Sequence, residues 1–135
     1  MTSSRFLLLG RRHFFSAVVG SVITAIGLLG PVTRAFAHAG LAAAIPAPAA
    51  TLPSAPGAVV LTFSEAVEPE FSTIEVRNVQ GERMDKADSH TAPGNRKQLI
   101  VDLKPLPPGA YKVLWRVTSV DTHRSTGTYP FTIKP

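Results

Sequence analysis

The sequence predicts an all-β domain, a sandwich or barrel of short strands, preceded by an export leader. Three observations carry that prediction. Hydrophobic residues in the C-terminal part recur at a period of two, the runs are separated by Pro/Gly/Asn turn chemistry, and no stretch of useful length carries a 3.6-residue helical period. The chain has 135 residues, 44% hydrophobic and 17% charged, a size that supports one core and leaves no room for a second.

Residues 1–37 read as a signal peptide. Arg5, Arg11 and Arg12 form the basic start, an apolar stretch runs from Phe14 to Leu29, Gly30-Pro31 breaks it, and Ala35-Phe36-Ala37 is an A-x-A cleavage site. Gly10-Arg11-Arg12-His13-Phe14-Phe15 resembles a twin-arginine signal, so the leader fits either that route or ordinary secretion. Gly20, Ser21, Thr24 and Gly27 interrupt an apolar segment already short of the ~20 residues a membrane span needs. Cleavage after Ala37 would leave a domain at 38–135 with no membrane span and His38 as its first residue.

In that domain Ala42–Pro56 is rich in Ala and Pro, and Pro46, Pro48 and Pro53 disfavour a helix, which predicts an extended edge strand followed by a loop. Strands follow at Ala58–Phe63, Thr73–Val79 and Gln98–Leu103, bounded by Pro56-Gly57, Gln80-Gly81, Pro93-Gly94-Asn95 and Pro107-Pro108-Gly109. Tyr111, Val113, Trp115 and Val117 then alternate with Lys112, Leu114, Arg116 and Thr118, and Tyr129, Phe131 and Ile133 alternate with Thr128, Pro130 and Thr132. Each set puts one face inward, with Trp115 expected in the core.

Composition removes several function classes. The formal charge is +5, but four arginines and no acid lie in the leader, and the rest of the chain holds ten Lys/Arg against nine Asp/Glu. A nucleic-acid partner is therefore not expected. With no cysteine, disulfides, thiolate zinc sites, iron–sulfur clusters, blue-copper centres and cysteine catalysis are all excluded.

The remaining chemistry centres on histidine. A terminal amine titrates near pH 8, far below lysine, so at a new N-terminus His38 would offer two nitrogens that close a chelate ring on one ion. Asp121-Thr122-His123 places a carboxylate and an imidazole on the same side of an extended backbone. Glu65 follows Leu61-Thr62-Phe63-Ser64 at a strand end, where loop residues converge; taken alone it reads equally as a solvated acid, as do Glu68 and Glu70. His90, in a polar stretch, reads as a surface loop residue. Nitrogens with one or two carboxylates suit tetragonal Cu(II), and Met84 as the one methionine after the leader cannot build a thioether cluster for Cu(I).

The residues then suggest a family. His38-Ala39-Gly40-Leu41, the run Val59-Val60-Leu61-Thr62-Phe63-Ser64-Glu65-Ala66-Val67, and the stretch from Pro108 to Gly127, with its G-x-Y-x-V-x-W-R-V-x-S-x-D-x-H pattern, resemble the CopC family of periplasmic copper-resistance proteins across the whole domain. The resemblance implies a seven-stranded Greek-key β-barrel or sandwich, Ig-like and cupredoxin-like, holding Cu(II) near one end. It carries the family's metal ligands onto His38, Glu65, Asp121 and His123. His38 and His123 would form a histidine brace, Asp121 would ligate, and Glu65 would stand either against the metal or beside the terminal amine. Family members with a Cu(I) site have a methionine-rich loop, whereas residues 78–97 here offer only Met84, so the chain resembles the Cu(II)-only branch.

The expected function is a periplasmic Cu(II) carrier that sequesters copper or delivers it to a CopD-like inner-membrane permease, and nothing in the composition asks for more than a monomer. Two competing readings are a histidine-brace copper oxygenase using His38 and His123, and a metal-free Ig-like structural module. Carboxylate-rich ligation favours Cu(II) and opposes the first, while the second makes the terminal histidine and the D-x-H pair coincidental.

Overall fold

Hydrophobic alternation decides which face of each strand is turned inward, and two such sheets close on one another. The computed structural model describes residues 39–135; the leader expected at 1–37 and His38 lie outside the described residues. Eight strands occur in them, β1 (Leu41–Ile45), β2 (Thr51–Leu52), β3 (Ala58–Phe63), β4 (Thr73–Asn78), β5 (His90–Ala92), β6 (Asn95–Asp102), β7 (Gly109–Thr118) and β8 (Arg124–Ile133), with one 3-10 turn at Pro69–Phe71. One sheet has the order β1-β3-β6-β5 and the other β2-β8-β7-β4. All neighbours are antiparallel except β2 with β8.

The inward set is the alternating one. Val59, Leu61 and Phe63 of β3 and Leu99 and Val101 of β6 face Ile74 and Val76 of β4, Tyr111, Val113 and Val117 of β7, and Tyr129, Phe131 and Ile133 of β8, all buried. Each such side chain contributes roughly 1.5–3 kcal/mol of burial. The all-β sandwich is thus the one expected, and β3 spans the predicted Ala58–Phe63.

The eight strands are one more than the seven expected, and two of them are short. β2 is two residues long and β5 three, too short for periodicity to register. Thr51 and Leu52 pair with Thr132 and Ile133, so the segment expected as edge strand and loop crosses from one sheet to the other and borders both. His90 opens β5 instead of sitting in a loop, although it is exposed as expected, with Nδ1 2.8 Å from the Asp88 carbonyl. Trp115 lies at the rim of the core and is only partly buried. It meets Phe63 edge-on at 5.3 Å and covers Gly127, its cross-strand partner; a Cβ there would lie 2.5 Å from indole Cε2.

The irregular stretch between β4 and β5 is organised by Asp85, a buried carboxylate. Its oxygens accept the amides of Val76 at 2.8 Å and Ala87 at 2.9 Å and the Arg83 guanidinium at 2.8–3.1 Å. Asp85 also bridges to Leu103 just beyond β6, while Arg83 bridges to Arg77 of β4. One carboxylate therefore ties both sheets along this side.

Candidate metal centre

The β7–β8 connection is five residues long, and its first member shapes it. Ser119 is fully buried, and its amide donates to the His123 carbonyl at 2.9 Å while Thr122 donates to the Ser119 carbonyl at 2.8 Å. The chain turns so tightly that Thr122, a β-branched residue, sits at φ 72°, a conformation that costs on the order of 1–3 kcal/mol. The Ser119 hydroxyl donates to Asp121 Oδ1 in a very short hydrogen bond, with the His123 carbonyl 3.1 Å away as a second acceptor.

That turn, and not the extended backbone expected, brings Asp121 and His123 together. Asp121 Oδ2 lies 2.9 Å from Nδ1 of His123, with side chains 43% and 37% exposed, open enough for an ion to reach. The Ser119 hydrogen bond lowers the Asp121 carboxyl most; desolvation pushes it back up, but the hydrogen bonds and charge of His123 add to the lowering, and the group stands below the usual carboxylate range. An ionised carboxylate and a neutral imidazole are the forms in which these two side chains act as metal donors.

Glu65 sits at the same end of the sandwich. The segment after β3 is tied to the β7–β8 turn by the Val67–Ser119 bridge, by the Val120 amide on the Ala66 carbonyl at 3.1 Å, and by the Glu68 amide on the Thr118 carbonyl at 2.8 Å. Glu68 is engaged elsewhere, 2.6 Å from Arg96. Glu65 does not join the other two, since among the described residues no three His, Asp or Glu side chains gather as a metal-holding group. The N-terminal end of the described chain arrives here as well. Gly40 donates to Ser64 Oγ at 3.0 Å and accepts from the Ser64 amide at 2.9 Å, and Ala39 is buried. Sequence reasoning missed Ser119 and Ser64; the one signal for the first was its place two residues before Asp121.

Two sheets packed face to face, with a carboxylate–imidazole pair at one open end, define a cupredoxin-like β-sandwich. Residues 41–134 match the CopC domain, and the chain belongs to the CopC family. It is 40% identical over 100 residues to Protein YobA of Escherichia coli K12, spanning 73% of this chain and 81% of that protein. It is 32% identical over 121 residues to copper resistance protein C of Escherichia coli, spanning 84% and 95%. Among solved structures, CopC from Methylosinus trichosporium OB3b superposes with a TM-score of 0.69 at 31% identity, covering 73% of this chain and 95% of that one. PcoC, a methionine-rich copper resistance protein from Escherichia coli, does so with a TM-score of 0.63 at 30% identity, covering 73% and all of that chain. Among the described residues no helix is long and apolar enough to cross a membrane.

Proposed function

We propose that this chain is an exported copper-binding protein that takes up Cu(II) as cargo at the end of the sandwich marked by Asp121 and His123. The observation that carries the reading is the Asp121–His123 pair, fixed by Ser119 at the end where Gly40 is held on Ser64. Copper is what the names of the family and of copper resistance protein C point to.

In this reading the leader is cut after Ala37 in the periplasm, and the amine and imidazole of His38 supply two nitrogens. Asp121 adds the carboxylate, and Glu65 either reaches the ion or orients the terminal amine. The absence of cysteine and the packing of Met84 against the core leave no soft ligand set for Cu(I), which supports a Cu(II)-only site. The protein then acts as a monomeric carrier that sequesters copper or passes it to a CopD-like permease, and catalyses nothing.

The test is Cu(II) titration of the chain starting at His38, followed by electron paramagnetic resonance and native mass spectrometry. One copper per chain with nitrogen hyperfine structure is expected. His123→Ala should weaken binding by about 100-fold or more, on the scale of losing a metal-ligand interaction, and His90→Ala should leave it unchanged. Equal loss from the two variants sinks the ligand assignment. A precursor that binds as tightly as the mature chain sinks the terminal-amine donor. Acidification should release copper as protons compete for the amine and imidazoles.

A further inference from the structure

Charge is unevenly spread over the two outer faces of the sandwich. The strand registers put Thr73, Glu75 and Arg77 of β4 beside Arg116, Leu114 and Lys112 of β7, and these beside Thr126, Thr128 and Pro130 of β8, with Arg124 opposite Thr118. This outer face carries four cations, Arg77, Lys112, Arg116 and Arg124, against Glu75, which is ion-paired with Arg77. The remainder of residues 39–135 holds six cations and eight carboxylates. Arg77 and Lys112 stand directly opposite one another, a like-charge cross-strand pair that costs stability. A domain with nearly balanced charge thus concentrates its positive residues on one sheet face at the expense of folding energy.

The face is also contoured. Two hollows flank Leu114, one of 480 Å³ walled by Val79, Tyr111, Leu114 and Pro130, the other of 350 Å³ beside Arg116 and Thr126. An extended segment turns every second residue toward such a face, about 7 Å apart, so when those same-side residues are in turn apolar and acidic, the apolar ones can enter the hollows and the carboxylates meet Lys112, Arg116 and Arg124. A headgroup layer has no side chains to fill such hollows.

We propose that the outer face of the β2-β8-β7-β4 sheet docks an acidic, extended segment of a partner protein, in which carboxylates and apolar residues take turns along one side of the segment. The dock stands on the charge and shape of this face alone. Its bearing on copper transfer rests on the function proposed above. Arg124 directly follows His123, so a partner seated on this face would reach the copper end.

The test uses a fluorescein-labelled peptide of repeating Glu-Ser-Leu-Ser, in which Glu and Leu share one side (the Glu/Leu peptide), read by fluorescence anisotropy against the purified chain, with the corresponding Lys-Ser-Leu-Ser repeat (the Lys/Leu peptide) and phosphatidylglycerol vesicles as comparisons. The Glu/Leu peptide should bind and the Lys/Leu peptide should not, with affinity falling as salt rises through the physiological range. Lys112→Glu with Arg116→Glu should weaken binding about tenfold or more, and the milder Lys112→Gln with Arg116→Gln should weaken it less. Lys86→Glu with Lys97→Glu, off this face, should change it less than about twofold. Absence of peptide binding, or equal loss from the two reversals, overturns the dock. Vesicle binding without peptide binding overturns it in favour of a membrane-facing surface. Cu(II) affinity, measured on the same variants, should not move. A His123→Ala chain that loses copper but keeps the peptide separates the two readings.

Discussion

Ser119 decides how the Asp121–His123 pair is presented. Removing its hydroxyl takes away the strongest influence holding the Asp121 carboxyl low, so Ser119→Ala should raise that group toward its ordinary value of 3.8, as followed by NMR titration. An unchanged titration would mean that His123 alone sets it. Thr122 makes a second prediction. Its φ of 72° is one glycine adopts freely, and Thr122→Gly should raise stability by about 0.5–1 kcal/mol in thermal unfolding while leaving Asp121 and His123 in place. The i, i+2 spacing pointed to the pair on the assumption of an extended backbone, whereas a tight turn with Thr122 at φ 72° is what brings the two side chains together. Ser119 was not legible, because serine at a strand end is common and its role depends on a turn closed by its own backbone. His38 lies outside the described residues and Glu65 does not gather with the pair, so the ligand set His38, Glu65, Asp121 and His123 stands as a proposal.

Among the elements, β7 and β8 are the pair whose packing is most exacting. Trp115 lies over Gly127 and meets Phe63 edge-on, so any side chain at position 127 must displace the indole. Gly127→Ala should cost about 1–3 kcal/mol, the usual scale of overpacking, measured by chemical denaturation with Trp115 fluorescence as a probe. A neutral outcome would show that the indole swings away freely. The longer strands were readable from sequence because each repeats its inward residues at least twice. β2 and β5 escaped because a pair of residues and a triplet show no period. What defines them is a partner distant in sequence, Thr132 and Ile133 for one and Leu99 and Ile100 for the other.

For the whole molecule, acid resistance hinges on Asp85. Burial pushes its carboxyl up, but the hydrogen bonds from Arg83, Val76 and Ala87 and the Arg83 charge together outweigh this, and the group ends below its ordinary value of 3.8. A carboxylate depressed in the folded state stabilises above the unfolded value, and that contribution is lost as pH falls through the lower folded value. Stability should therefore be level from neutral pH down to about 4 and fall below it. Asp85→Asn should cost about 2–3 kcal/mol at neutral pH and flatten the acid limb; a variant with the same acid limb as the parent would exclude Asp85 as its origin. Nothing in the local sequence singled out this residue, one of nine acids, because its burial is set by β4 and β6 together.

The paired hydrogen bonds between Gly40 and Ser64 also have a meaning as a tether. Two residues of fully extended chain span at most about 7 Å, so a donor group that far upstream of Gly40 is confined to a sphere of about that radius. One group in such a volume corresponds to a local concentration on the order of 1 M, which makes its capture of an ion at the Asp121–His123 end effectively intramolecular. Extending the chain between Ala39 and Gly40 would dilute that donor without altering a single ligand.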